Sequence, residues 1–134
     1  MLDLNKIADE ILANPSGGTV RLSATGNPTP DTGYFVGNGL QGLTCPAGMV
    51  SRAVVLGALV WLHTLPTGPR FIGWWTDGDR FYIEPSDWTS NYNHAVQLAA
   101  ERGELAFFDV ARQADIRMDQ PGRLTVATIA CPEG

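Results

Sequence analysis

The sequence predicts an α+β domain with a mainly antiparallel sheet, a buried apolar helix and two further helices. An Asp-Gly dipeptide at residues 77–78, among the strongest short hairpin signals, lies between two strand-like stretches. The turn is centred either on Asp77-Gly78 or on Gly78-Asp79. Residues 49–65 are almost entirely apolar, which indicates a helix enclosed by the domain or by a subunit interface. Strand-like stretches mostly follow one another directly, which favours antiparallel pairing. A chain of 134 residues suits a single domain over residues 1–134.

The first half of the chain is predicted as follows. Leu4, Ile7 and Ile11 share one helical stripe, so we expect a helix over residues 2–13, ended by the proline and glycines that follow. Residues 19–25 alternate between apolar and polar side chains, which is typical of a strand with one wet face. A loop over residues 26–33, a short strand over residues 34–37 and a second loop over residues 38–48 lead into the apolar helix.

The second half is predicted to contain the hairpin, a helix and three more strands. The hairpin strands cover residues 70–76 and 80–84, and a loop follows over residues 85–91. Ser90 or Asn91 can cap a helix that runs to about Arg102, and Gly103 ends it. Strands are then expected over residues 104–110, 114–118 and 123–130.

Composition excludes some classes of function. The net charge of −5 and the pI of about 4.8 argue against nucleic-acid binding through a broad basic face. The apolar stretch over residues 49–65 is short for a bilayer and contains Arg52 and His63, so no membrane span is expected. The first residues do not resemble a signal peptide, and we expect a cytoplasmic protein.

Neither a metal nor a cofactor is expected. Cys45 and Cys131 lie far apart, and neither they nor His63 and His94 have the spacing of zinc ligands. No serine or cysteine has a nucleophile context, so no catalytic residue is assigned.

The glycines at positions 37, 39 and 42 match the pattern of a dinucleotide-binding loop. That motif needs a helix opening on the glycines and an acid about twenty residues later. Pro46 interrupts the segment, and no acidic residue occurs between Asp31 and Asp77. The glycines therefore predict a tight loop against the sheet.

The hairpin has two different faces, because side chains alternate along strands. One face is uniformly apolar and is predicted to join the core: Ile72, Trp74, Phe81 and Ile83. The other face is mixed and contains Phe71, Trp75, Arg80, Tyr82 and Glu84.

The mixed face has three interpretations. Exposed Trp, Tyr and Arg side chains are typical of binding hot spots, so we predict a partner-binding surface formed by Tyr34, Trp75, Arg80, Tyr82, Glu84 and Trp88. Alternatively, Arg80 stacks on Trp75 and Glu84 is solvated, as in ordinary cross-strand pairs. A third interpretation is catalytic or Mg²⁺-binding carboxylates, for which the candidates are Asp77, Asp79, Glu84 and Asp87. Turn chemistry already explains Asp77 and Asp79.

Three segments carry a resemblance to a known group of sequences. They are ATGNPTPDTGYFVG, FIGWWTDGDRFYIEPSD and HAVQLAAERGELAFFDVARQADIRM, and the resemblance around them covers roughly residues 18–118. This order resembles a small uncharacterised domain of phages and other mobile elements of actinobacteria and related bacteria. The resemblance implies an accessory protein of a phage or mobile element and carries over no catalytic residue.

These observations lead to three hypotheses of function. The first is a non-enzymatic accessory protein in the cytoplasm of a host bacterial cell, which binds a protein partner such as a host factor and could also form a homo-oligomer. The second is an enzyme that acts on a nucleotide or glycan through the hairpin carboxylates. The third is an acidic DNA mimic.

Overall fold

The computed structural model describes residues 3–21, 30–65, 71–118 and 127–128, and it confirms the α+β fold class. Within these residues three α-helices accompany one sheet of eight strands. The helices are α1 (Leu4–Ala13), α2 (Arg52–His63) and α3 (Tyr92–Arg102). The strands are β1 (Gly17–Arg21), β2 (Tyr34–Gly37), β3 (Leu43–Pro46), β4 (Phe71–Asp77), β5 (Arg80–Thr89), β6 (Ala106–Asp109), β7 (Ala114–Arg117) and β8 (Ala127–Thr128).

The sheet is built around the β4–β5 hairpin, whose turn is Gly78-Asp79. Gly78 has φ +60° whereas Asp79 does not have positive φ, which is the pattern of a type II′ turn. The strand order is β1-β4-β5-β2-β6-β7, and each of these neighbouring pairs is antiparallel. Strands β3 and β2 pair with the same edge of β5: β3 with its first half and β2 with its second half. Strand β8 runs parallel to β3.

Helices α1 and α2 cover one face of the hairpin. The predicted core face is confirmed, because Ile72, Trp74, Phe81 and Ile83 are all buried among residues of these two helices. The indole Nε1 of Trp74 donates a hydrogen bond to the carbonyl of Asn14 at 2.7 Å, which satisfies its polar group just beyond the end of α1.

Helix α3 covers the same face of the sheet beside β2 and β6. Its N-cap is Asn91, whose Oδ1 accepts from the backbone N–H of His94 at 3.0 Å, and Gly103 ends it with φ +65°, as predicted. Ala95 and Ala99 pack against Val36 and Phe107. All three helices therefore lie on one face, and no helix of the described residues covers the other.

Three predictions about the elements need correction. Helix α2 is not enclosed all round, because Val60 and Trp61 are 53% and 44% exposed. The predicted loop over residues 38–48 contains β3, which gains its pairing from β5. Strand β5 continues to Thr89 rather than stopping at Glu84, because β2 and β4 both pair with its second half.

Several predicted features fall wholly or partly outside the described residues. Of the predicted strand over residues 19–25 only residues 19–21 are described, and of the predicted loop over residues 26–33 only residues 30–33. The predicted strand over residues 123–130 is described only at Ala127–Thr128. Cys131 lies outside the described residues, and Cys45 is buried in the core. Within the described part of the chain, each helix is too short or too polar to span a bilayer.

Candidate functional site: a carboxyl pair on the open face of the sheet

The face of the sheet opposite the helices, here called the open face, carries a cleft of about 590 Å³. Side chains of alternate residues point to this face, and the strand registers align these positions across six strands. One residue of each strand illustrates the set: Thr19, Gly73, Glu84, Gly37, Ala106 and Arg117. Most of the cleft lining comes from this set, and residues after β6 such as Val110 add to it. The sheet topology thus brings side chains from six strands together in one cleft.

Two glutamates lie at the floor of this cleft. Glu84 is on β5 and is 6% exposed, and Glu104 follows α3 and is 3% exposed. Their carboxyl groups are hydrogen-bonded to each other, and the backbone N–H of Gly39 donates to Oε1 of Glu104 at 3.2 Å. We refer to Glu84 and Glu104 as the carboxyl pair.

The glycines of the rejected nucleotide motif make room for this pair. A Cβ atom at Gly37 would lie 1.6 Å from Oε1 of Glu84 and 2.8 Å from Oε1 of Glu104. A Cβ at Gly42 would lie 2.9 Å from Cβ of Glu84. The absence of a side chain at Gly37 and Gly42 is therefore explained by their close approach to Glu84.

Burial controls the protonation of the pair. It raises the pKa of Glu84 well above its ordinary value, and the charge of Glu104 and the hydrogen bond between the two carboxyls raise it further. Burial also raises the pKa of Glu104 to about 7, although the Gly39 N–H, the Glu84 carboxyl and Arg102 oppose this shift. Both shifts favour the protonated carboxyl, and a protonated Glu84 donates its hydrogen bond to Glu104.

Arg102 lies near the pair but is bonded elsewhere. Its Nη1 donates to the carbonyls of Val36 and Gly37 at 3.1 and 3.4 Å, and its Nη2 forms an ion pair with Asp87 at 2.5 Å. Among the described residues, the recorded ion pairs join Arg102 to Asp87, Arg52 to Asp9 and Arg112 to Asp109. The carboxyl pair thus has the field of Arg102 without a direct ion pair.

Ser86 places a hydroxyl in the same cleft. Its side chain is on the same face of β5 as Glu84, lines the cleft and is 5% exposed. Within the described part of the chain its hydroxyl has no hydrogen-bond partner. Ser86 is paired with Gly37 across the strands, which places it beside the carboxyl pair.

Aromatic residues such as Phe35, Phe108 and Trp75 line part of the cleft, and others pack beside them. Phe35, Phe71 and Val110 form a small apolar cluster, with Phe108 packed against it. The guanidinium of Arg21 lies over the ring of Phe71 at 4.8 Å from its centroid. Towards the hairpin turn, Trp75 and Tyr82 stack with centroids 4.8 Å apart and an interplanar angle of 13°.

The structure places the six predicted partner-binding residues in three locations. Trp75, Arg80, Tyr82 and Glu84 are on the open face, and Trp75 and Tyr82 are half-buried. Trp88 is at the far end of β5, where its Nε1 donates to the carbonyl of Thr32 at 2.7 Å. Tyr34 is on the opposite face, in edge contact with Tyr92 and Phe107.

Two details of the mixed face differ from the predicted interpretations. The partner stacked on Trp75 is Tyr82 rather than Arg80, because these two rings are directly paired across the hairpin. Glu84 is buried rather than solvated, because Gly37, Gly42 and the Glu104 carboxyl all lie against its side chain.

The other hairpin acids do not form a site with Glu84. Asp77 precedes the turn and Asp79 is within it, and both are exposed, whereas Asp87 is paired with Arg102. Within the described residues, no group of three or more His, Cys, Asp or Glu side chains is placed to hold a metal ion.

Sequence reasoning missed Glu104 and Ser86. Glu104 was expected only as the first residue of a strand, and Ser86 only as part of a loop. In the sequence, Glu104 directly follows the Gly103 cap at the end of α3. Its partner, however, is 20 positions away in the sequence, and only pairing of the strands brings them together.

The fold and the site define an α+β protein whose sheet has one helix-covered face and one open face with a buried carboxyl pair. Scans against protein-family models, curated proteins and solved structures each gave no match.

Proposed function

We propose that this protein acts by binding a protein partner on the open face of its sheet. It works as an accessory protein of a phage or mobile element, without catalysis, in the cytoplasm of the host cell. The observation that carries the proposal is the cleft of about 590 Å³ on a sheet face that no described helix covers.

The aromatic side chains beside the cleft support this proposal. Trp75 and Tyr82 stack in a rigid pair and keep part of their surface accessible. Large aromatics of this kind contribute much of the free energy of binding at protein interfaces because they lose little conformational entropy. The resemblance to a domain of mobile elements supports the accessory role.

The test is partner capture with two matched tryptophan variants. Tagged protein is incubated with lysate of an actinobacterial host, and the captured protein is identified, purified and titrated against each variant. Trp75→Ala should weaken binding by about 2 kcal/mol or more, as hot-spot aromatics do. Trp61→Ala removes an exposed tryptophan from α2 on the helix side and should leave the affinity unchanged. Equal affinities for both variants would place the interface elsewhere.

The enzymatic alternative has weaker support. Carboxyl groups that hydrolyse a glycosidic bond are about 5 Å or more apart, so that they can flank it. Glu84 and Glu104 instead bond directly to each other. The mimicry of DNA has weaker support as well, since Glu84 is buried and Asp87 is paired with a cation.

A further inference from the structure

We propose that the carboxyl pair is the binding site for a cationic side chain, a lysine or arginine, that the partner protein inserts into the open-face cleft. This inference rests on the proposed function and names the chemistry of the partner at that same site. It is carried by the convergence of Glu84, Glu104 and Ser86 on one cleft.

The first argument is that three polar side chains, Glu84, Ser86 and Glu104, converge on the cleft, and none of them has a recorded ion pair among the described residues. Two carboxyl groups at 6% and 3% exposure have only each other, the N–H of Gly39 and the distant field of Arg102. The hydroxyl of Ser86, at 5% exposure, has no hydrogen-bond partner among the described residues. Carboxyl and hydroxyl oxygens that line a cleft can accept further hydrogen bonds, so this cluster is suited to a ligand that carries donors.

The second argument is the number and kind of donors that the cluster requires. Carboxylate oxygens and a serine oxygen are all acceptors, and together they leave several lone pairs unused. A lysine ammonium has three donors and an arginine guanidinium has five, with no acceptor in either. These are therefore the groups whose donors complement the cluster.

The third argument is the shape of the approach. Lysine and arginine carry their charge on an aliphatic stem, which binds well along apolar walls. Phe35 and Phe108 line the cleft beside the pair, and Trp75 lines it towards the hairpin turn. Aromatic rings also attract a cation through their faces, so the same walls suit the stem and the charge.

The charged residues around the cleft leave the carboxyl pair available to bind a cation. Arg102 of α3 is bonded to two carbonyls and Asp87. Arg21 of β1 lies over Phe71. On the rim, Asp77 of β4 and Asp115 of β7 are acidic, and Arg117 of β7 is basic. Two aspartates at the rim favour the entry of a cation.

Binding should release a proton. Without a ligand, burial favours the protonated form of Glu84 and raises the pKa of Glu104 to about 7. A cation beside the pair favours the ionised form and lowers its pKa. Affinity should therefore rise as the pH increases towards the ionised state of Glu104, and proton release distinguishes this site from a merely apolar groove.

The experiment uses the intact protein and small probes. N-acetyl-arginine amide and N-acetyl-lysine amide are titrated by calorimetry in two buffers of different ionisation enthalpy, with N-acetyl-citrulline amide as the neutral isostere. We expect binding of at least one cationic probe with proton release, and binding of the citrulline probe weaker by about tenfold or more. Equal binding of the citrulline probe, or binding of no cationic probe, would overturn the inference. The comparison needs no substitution and so does not depend on a variant folding.

A variant then separates this inference from the proposed function. Glu104→Gln retains the shape of the side chain and removes the charge, and should lose most of its affinity for both the cationic probe and the captured partner. If Trp75→Ala abolishes partner capture whereas folded Glu104→Gln captures the partner normally, the open face is the interface but the cationic side chain is wrong. If Trp75→Ala captures normally, the proposed function itself fails.

Discussion

The carboxyl group of Glu84 lies directly against the α-carbon of Gly37, so that a methyl group at position 37 would come within 1.6 Å of Oε1. Gly37 is the last residue of β2, and it is paired with Ser86 on β5. Its missing side chain is therefore the space that Glu84 occupies. This relationship makes the carboxyl pair and the glycines of residues 37–42 one structural unit.

Gly37→Ala should destabilise the fold. The methyl group collides with a buried carboxyl group on one side and with Glu104 at 2.8 Å on the other, and overpacking of this kind costs about 1–3 kcal/mol. Urea denaturation measures the change in the free energy of unfolding. Gly57→Ala is the matched control, because a Cβ at this helical position meets open space and should stabilise α2 by up to about 1 kcal/mol. Equal and small effects at both positions would show that Glu84 is not held against Gly37.

Stability should fall as pH rises through neutrality. The pKa of Glu104 is raised from its ordinary value of 4.5 to about 7, and that of Glu84 is raised as well, so the folded protein holds protons that the unfolded chain releases. This contribution is fully present below pH 4.5 and is lost as the pH rises through about 7. One pKa unit corresponds to about 1.4 kcal/mol, so Glu104 alone accounts for a loss of about 3 kcal/mol.

The measurement is urea denaturation from about pH 5 to about pH 8. Glu104→Gln should flatten the curve in this range because glutamine does not titrate. Glu101→Gln, at an exposed position on α3, should leave the curve unchanged. A wild-type stability that rises steadily across the range would contradict the raised pKa values.

Adjacent positions on α2 should respond very differently to truncation. Leu59 is 0% exposed and lies in the main core cluster, so Leu59→Ala should cost about 2–5 kcal/mol. Val60 is 53% exposed, and Val60→Ala should change stability by no more than about 0.5 kcal/mol. Thermal melts of the two variants check this. A large loss for Val60→Ala would mean that a partner or second copy covers this side of α2.

The neighbouring tryptophans of β4 should differ in the same way. Trp74→Ala removes a side chain that is 3% exposed in the main core and should cost about 3–5 kcal/mol. Trp75→Ala removes a half-buried ring stacked on Tyr82 and should cost about 1 kcal/mol, the value of an aromatic cross-strand pair. Similar losses for the two variants would show that the open face is covered.

Local sequence signals predicted the elements whose cause is itself local. Asn91 and Gly103 bound α3 because capping and left-handed backbone depend on single residues. The hairpin faces were also correct, since alternation along two strands joined by a tight turn fixes which side chains share a side. The prediction that Trp74 and Trp75 lie on opposite sides required nothing beyond that geometry.

Long-range pairing decided what the sequence pattern left open. Strand β3 and the second half of β5 have weak local signals, and their structure comes from the partners β5, β2 and β4. Val60 and Trp61 on the outer side of α2 are apolar but exposed. In a helix that is apolar all round, the sequence does not determine which side packs against the rest of the domain.

The sequence by itself determined the α+β class, the order of most elements and the two faces of the hairpin, because these follow from periodicity, caps and turns. Only the tertiary structure brought Glu84 to Glu104 and placed both over Gly37. The three residues come from a strand interior, the exit of a helix and the end of another strand. Their proximity depends on the order of strands β5, β2 and β6 in the sheet, and strand order is set by packing of the whole core rather than by any local pattern.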